Sequence, residues 1–338
     1  MGTTQQATED TAERAEESRE IIDFGGHLYS DRVPARPESF RSFDDLIPHF
    51  SDPDEIIRQY RAAGITGNVL VAPHYTQIDD VEATAEANDV LLEIVEEHDH
   101  FLGGLACIPF TDDGEAAAEE FRRALDNGFN GGVLEAWSQE YGIDLTDEAL
   151  DPVYDVAERT GAPILVHPKA EMSLHPDIEI LDDDYRLNAI FGREVSLWAS
   201  VCKVVHDGVL DRHPDLNLVY DHIGGNIASL MGRMHYQYET ERWPGDDSKM
   251  KSWDEFRSQL EERIYLKMAG HHAYQAPLRA TLEEFPASQV LFATDFPFEP
   301  RSVAELEANV ETVEDLTSRA DARRIFSENA RELLVNLD

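Results

Sequence analysis

Four residues stand where short apolar runs give way to loops, and their types could share one metal ion and one proton. His27 closes "EIIDFGGH", His167 ends "PILVH", His222 lies in "LNLVYDHIGG" and Asp295 lies in "QVLFATDFPF". His27, His167 and Asp295, two imidazoles and a carboxylate, are a donor set for a divalent cation, zinc first and manganese as the alternative. A bound ion lowers the pKa of its water towards neutrality and so creates a nucleophile or a base, which Asp295 could bridge. His222 titrates in the same range and could move a proton. Gly25, two residues before His27, carries no ligating atom where a second ligand would be expected.

These residues can meet only if the chain brings their runs side by side. Eight apolar runs alternate with amphipathic stretches: the four above, and "GNVLVAPH", "FLGGLACIPF", "GGVLEAW" and "IYLKM". Between them lie "SDPDEIIRQYRAAG", "VEATAEANDVLLEIVEEH", "GEAAAEEFRRALDNG" and "TDEALDPVYDVAERTG", several of which start on Ser, Thr or Asp and stop at Gly, as helix caps require. The alternation predicts an α/β fold, a (β/α)8 TIM barrel, with a doubly wound open sheet as the structural runner-up. In a barrel the side chains at the strand C-termini rise over one mouth. Two connections, residues 168–195 after the fifth strand and 235–258 after the sixth, are long enough to cover that mouth. His74, Glu135, Trp137, Arg186, Arg193, His271 and His272 are further candidates for the pocket, and Trp243 and Trp253 for covering an aromatic ligand or packing a dimer interface. In "HIGGN" the glycines suit a close backbone approach better than a phosphate loop.

Composition narrows the partners. The 338 residues include 69 acidic and 28 basic ones, a formal net charge of −41. Only five of the basic residues are lysine: Lys169, Lys203, Lys249, Lys251 and Lys267. Self-repulsion on this scale burdens a protein in dilute buffer, whereas in molar salt the Debye length falls to about 3 Å. The expectation is a cytoplasmic protein of a high-salt organism that binds neither nucleic acid nor anionic membranes. No run approaches the roughly 18 apolar residues of a membrane span. Residues 1–20 read as a solvated, disordered acidic leader and residues 21–338 as one barrel domain. Cys107 and Cys202 lie in apolar runs and read as buried, reduced thiols.

The neighbouring letters carry a resemblance. "VLFATDFPF", "PILVHP", "GVLDRHPDLNLVYDHIGGNIASLMGRM" and the closing "ARRIFSENARELL" resemble the amidohydrolase superfamily, in its amidohydrolase-related branch of aminocarboxymuconate semialdehyde decarboxylase-like enzymes. The likeness runs from about Ile21 to Leu334. It implies metal ligands at His27, His167 and Asp295, a catalytic acid/base at His222, and a substrate-carboxylate grip at Arg233, often across a homodimer interface. It also implies a histidine or glutamate ligand where this chain has Gly25. Three arrangements remain open there: a metal held by the surviving ligands and water, a substitute such as Asp23, or a barrel without metal. The expected activity is non-oxidative decarboxylation of a small aromatic or unsaturated carboxylic acid. A metal-dependent hydrolase of a lactone, ester or amide and a metal-free ligand-binding barrel are the alternatives.

Overall fold

A computed structural model describes residues 19–30, 32, 51–72, 80–138, 143–168, 184–239, 250–269, 274–299 and 302–337. Residues 1–18 of the expected leader, His74, Trp243, His271, His272 and, of the two long connections, residues 169–183 and 240–249 lie outside them.

Eight parallel strands form a barrel: β1 (Ile22–His27), β2 (Gly67–Val71), β3 (Phe101–Cys107), β4 (Gly131–Glu135), β5 (Ile164–His167), β6 (Leu218–Tyr220), β7 (Ile264–Lys267) and β8 (Val290–Leu291). Each pairs in parallel with the next in chain order. The ring closes through backbone bonds in which Phe24 N–H donates to Phe292 C=O and His27 N–H to Phe296 C=O, each at 2.9 Å. The strands read as continuous apolar runs because both of their faces are covered, inside by one another and outside by helices. Val69, Leu105, Val133, Leu165, Val219, Leu266 and Phe292 are all fully buried.

The helices begin where their caps lie. In α1 (Pro53–Ala62) the Asp52 side chain accepts from the N–H groups of Asp54 and Glu55, and Pro53 occupies the first turn, where no N–H is missed. Asp80 caps α2 (Val81–Glu97) and Asp113 caps α3 (Gly114–Asp126) in the same way. The next helix, α4 (Asp151–Thr160), ends on Gly161 with φ 74°, a left-handed residue that suits glycine. A two-residue antiparallel ribbon, Trp137–Ser138 with Ile143–Asp144, precedes α4. After β5 comes α5 (Arg193–His206), and after β6 come α6 (Met231–Glu239) and α7 (Trp253–Arg263). Trp253 stacks on His235 at 4.7 Å between ring centroids and meets Tyr238 edge-on at 5.4 Å, so it packs α7 against α6.

Two strands are shorter than the apolar runs suggest. The run "LNLVYDHIGG" leaves the sheet after Tyr220, and "QVLFATDFPF" leaves it after Leu291, so His222 and Asp295 sit in the turns beyond their strands. Both have positive φ, 48° and 60°, a left-handed conformation that lies outside the β region. Cys107 is buried, with its thiol donating to Ala72 C=O at 3.4 Å; Cys202 is only half-buried, contrary to its expected burial, because it lines an outer groove. Among the described residues no helix is long and apolar enough to cross a membrane.

The end of the chain is fastened to the barrel by Asn130, just before β4. Its Oδ1 accepts from Gly104 N–H and its Nδ2 donates to Val335 C=O, both at 2.9 Å. Asn130→Ala would leave both backbone groups without this buried partner, and about 2–4 kcal/mol of folding stability should be lost. Denaturant unfolding at fixed salt checks this; a loss under about 0.5 kcal/mol would contradict it.

Candidate active site

At the mouth of the barrel, His27 is the last residue of β1 and His167 the last of β5. Their rings meet edge-on with centroids 5.6 Å apart. His27 Nε2 is in direct hydrogen-bond contact with Asp295 Oδ1, and both groups are buried. His222, Asp295 and Glu299 each place one ligand atom within 4.8 Å of the others. Four sequence-predicted residues, His27, His167, His222 and Asp295, therefore share one buried neighbourhood, although His167 stands nearer Asp221 (Nε2 to Oδ2, 4.0 Å) than a compact three-ligand cluster would have it.

The turn after β6 sets His222. Residues 222–226, "HIGGN", form one left-handed turn, with φ 53°, 64° and 64° at Ile223, Gly224 and Gly225. Left-handed backbone costs roughly 1–2 kcal/mol at each non-glycine residue, and such strain gathers at functional sites. Asp221 Oδ1 accepts from the His222 N–H at 3.0 Å and starts the turn. A Cβ on Gly225 would stand 2.2 Å from Glu194 C=O, so this glycine lets the turn lie against the start of α5. That approach delivers Glu194, whose Oε1 meets His222 Nδ1 at 2.7 Å while its Oε2 accepts from Asn226 Nδ2 at 3.2 Å. Burial opposes protonation of His222, but Glu194, helped by Asp221 and Asp295, outweighs it and raises the imidazole to about 9. His167, buried with no such partner in contact, is pushed down to about 3. Burial, then the Asp295 charge, raises the Glu299 carboxyl to about 7.

A lysine lies at the end of the seventh strand. Lys267 is fully buried, and its Nζ donates to Asp221 Oδ2 at 3.1 Å and to Gly25 C=O at 3.3 Å. Gly25 is a bulge: the register with β2 slips between Phe24 and Gly26, and Gly25 takes φ 94°. Asp23, considered as a substitute ligand, is instead committed to Thr294, which donates to it from both Oγ1 and N.

The donor types of His27, His167 and Asp295 suit a divalent cation, although their ligand atoms do not all lie within 4.8 Å of one another as those of His222, Asp295 and Glu299 do. Two buried imidazoles each keep a ring nitrogen, Nδ1, with no hydrogen-bond partner, and buried polar atoms seldom go unpaired. Asp295 remains a carboxylate, because the neighbouring His27 and Lys267 outweigh the effect of burial. Three residues here escaped sequence reasoning. Glu194 lies among loop residues without pattern, and Glu299 follows Asp295 by four positions without a motif. Lys267 had a signal: it is the one polar residue near the end of "IYLKM" and the last residue of its strand, the slot that His27 and His167 hold on theirs.

The remaining candidates divide. Glu135, last in β4 and 3% exposed, pairs in register with His167 and so sits beside the site. Arg193 opens α5, and its charge acts on Tyr29 and Glu299. Arg186 is exposed, with φ 58°. Arg233 is exposed on α6 and is not brought to the four-residue cluster; it lines an outer groove of about 610 Å³ with Trp198, Cys202, Leu230, Met234 and Tyr238.

Comparison with known proteins agrees with this architecture. The family model described as Amidohydrolase matches residues 46–335. The chain is 29% identical over 278 residues to a gamma-resorcylate decarboxylase of a Rhizobium species, covering 78% of this chain and 80% of that one. It is 26% identical over 165 residues to the 2-amino-3-carboxymuconate-6-semialdehyde decarboxylase of Dictyostelium discoideum, covering 47% and 43%. Among solved structures it resembles a dihydroxybenzoic acid decarboxylase of Polaromonas, solved with manganese and 2-nitroresorcinol (TM-score 0.77, 23% identity, 93% of this chain and 96% of that one). The matched span takes in every strand of the barrel after the first, and with it His167, His222 and Asp295: the chain belongs to the amidohydrolase family.

Proposed function

We propose that this chain is a metal-dependent, non-oxidative decarboxylase of a small aromatic or unsaturated carboxylic acid. The observation that carries the reading is the His222–Glu194 pair beside Asp295, a protonated imidazole held at a buried carboxylate cluster, in a chain whose curated relatives are named decarboxylases. His27, His167 and Asp295 would hold the ion, either zinc, which suits a two-imidazole set, or manganese, which a related solved structure holds. When bound, the ion would supply positive charge that stabilises the negative charge left on the substrate as carbon dioxide departs.

The chain's own groups supply the rest. Glu194 engages His222 Nδ1, so proton transfer to substrate falls to Nε2. The bond from the substrate carbon to its carboxylate breaks, carbon dioxide leaves, and the electron pair left on the carbon takes the His222 proton. Solvent then reprotonates the imidazole, which Glu194 keeps cationic at neutral pH. The buried walls exclude water and strengthen these charges. In a homodimer, the exposed Arg233 would neutralise a second anionic group of the substrate in the neighbouring copy's pocket. The net charge of −41 and the scarcity of lysine support a cytoplasmic home in a high-salt organism.

Purified protein incubated with manganese or zinc and a panel of hydroxybenzoic acids should release carbon dioxide, and a chelator should abolish the release. Turnover of a lactone or ester with no release from any acid would overturn the reading. Glu194→Gln should lower kcat about a hundredfold while the melting temperature stays within a few degrees, since it removes the charge that holds His222 protonated. An unchanged kcat would remove His222 as the proton donor. Raising KCl from 0.1 M to about 2 M should lift the melting temperature by at least about 10 °C; a flat or falling curve would argue against the high-salt assignment.

A further inference from the structure

Lys267 and Gly25 fit one another. A Cβ built on Gly25 would stand 3.1 Å from Lys267 Nζ and 3.2 Å from its Cε, tighter than nine in ten real contacts, so the glycine makes room that the ammonium uses. The bulge at Gly25 turns its carbonyl to within 3.3 Å of Nζ. On the other side the ammonium rests 3.1 Å from Asp221 Oδ2, which also lies 4.0 Å from His167 Nε2, while Asp221 Oδ1 accepts the N–H that starts the His222 turn. Burial on its own would strip the proton from such a lysine, but the carboxylates of Asp221, Asp295 and Asp23 hold it charged. A permanent positive charge thus sits within the side of the mouth that the first strand borders at position 25.

We propose that Lys267 takes the place of a side-chain ligand from the middle of the first strand, so that a divalent ion is gripped by His27, His167 and Asp295 alone and held loosely beside a fixed ammonium. The inference rests on the metal reading above and deepens it. Adding two positive charges to a pocket that already contains one costs Coulomb energy, which the buried carboxylates only partly offset. With three protein ligands rather than four, affinity falls further. The ion would then exchange readily and depend on the metal concentration of its surroundings.

The test strips the protein with a chelator and titrates it with Mn²⁺ by calorimetry in high salt, as wild type, Lys267→Gln and Lys267→Met, with melting temperatures measured alongside. Glutamine keeps a donor for Gly25 and Asp221 but removes the charge. Both variants should bind Mn²⁺ at least about tenfold more tightly than wild type. A folded variant that binds no more tightly than wild type overturns the proposal. If neither variant folds, a crystal structure of wild type grown with Mn²⁺ decides. The ammonium against Gly25 with three protein ligands on the ion supports the proposal, whereas a fourth protein ligand or a displaced lysine overturns it. Mn²⁺ uptake that is insensitive to Lys267 overturns this inference alone. No uptake by any of the three proteins overturns the metal reading and this inference together.

Discussion

The mouth of this barrel is organised by one buried ion pair, Lys267 with Asp221. Taking two charges out of water costs several kcal/mol for each ion unless geometry and further hydrogen bonds compensate. Here they do: the ammonium also donates to Gly25 C=O, and the carboxylate's second oxygen accepts the His222 N–H. Three strands distant in the chain, β1, β6 and β7, are thereby tied at one point. The bulge of the first strand and the left-handed turn after the sixth both adjoin that tie. Removing either charge would leave the other stranded in a pocket that already holds Asp23 and Asp295.

Around it, the titratable groups are sorted by their neighbours rather than by their depth. His167 and His222 are both buried imidazoles. The first has Asp221 no closer than 4.0 Å and stays neutral, the form a metal ligand needs; the second has Glu194 at 2.7 Å and stays charged, the form a proton donor needs. The same residue type thus takes two protonation states set by environment.

Much of this was legible in the letters. The barrel followed from the alternation of apolar runs with capped helices, and His27 and His167 followed from their position as the last polar residues of their runs. The strand ends were less legible at His222 and Asp295, because an apolar run does not reveal where backbone pairing stops and a left-handed turn begins. Glu194 was illegible for a different reason: its partner lies 28 residues away and meets it only through the close approach that Gly225 permits. Gly25 looked like a loss when taken alone. Its meaning depends on a lysine 242 residues later, and the local sequence around either residue gives no way to connect the two.

The left-handed turn at residues 222–226 also limits how such a protein can diverge. Its two glycines and its handedness decide where the imidazole points before any substrate arrives, and neither can be altered by small steps without breaking the contact with the first turn of α5. Adjustment of the imidazole's pKa is left to that helix, where exchanging the Glu194 carboxylate for a neutral group would lower it while the backbone beneath stays the same. Shape and reactivity are carried by separate segments, and selection can act on the second without disturbing the first.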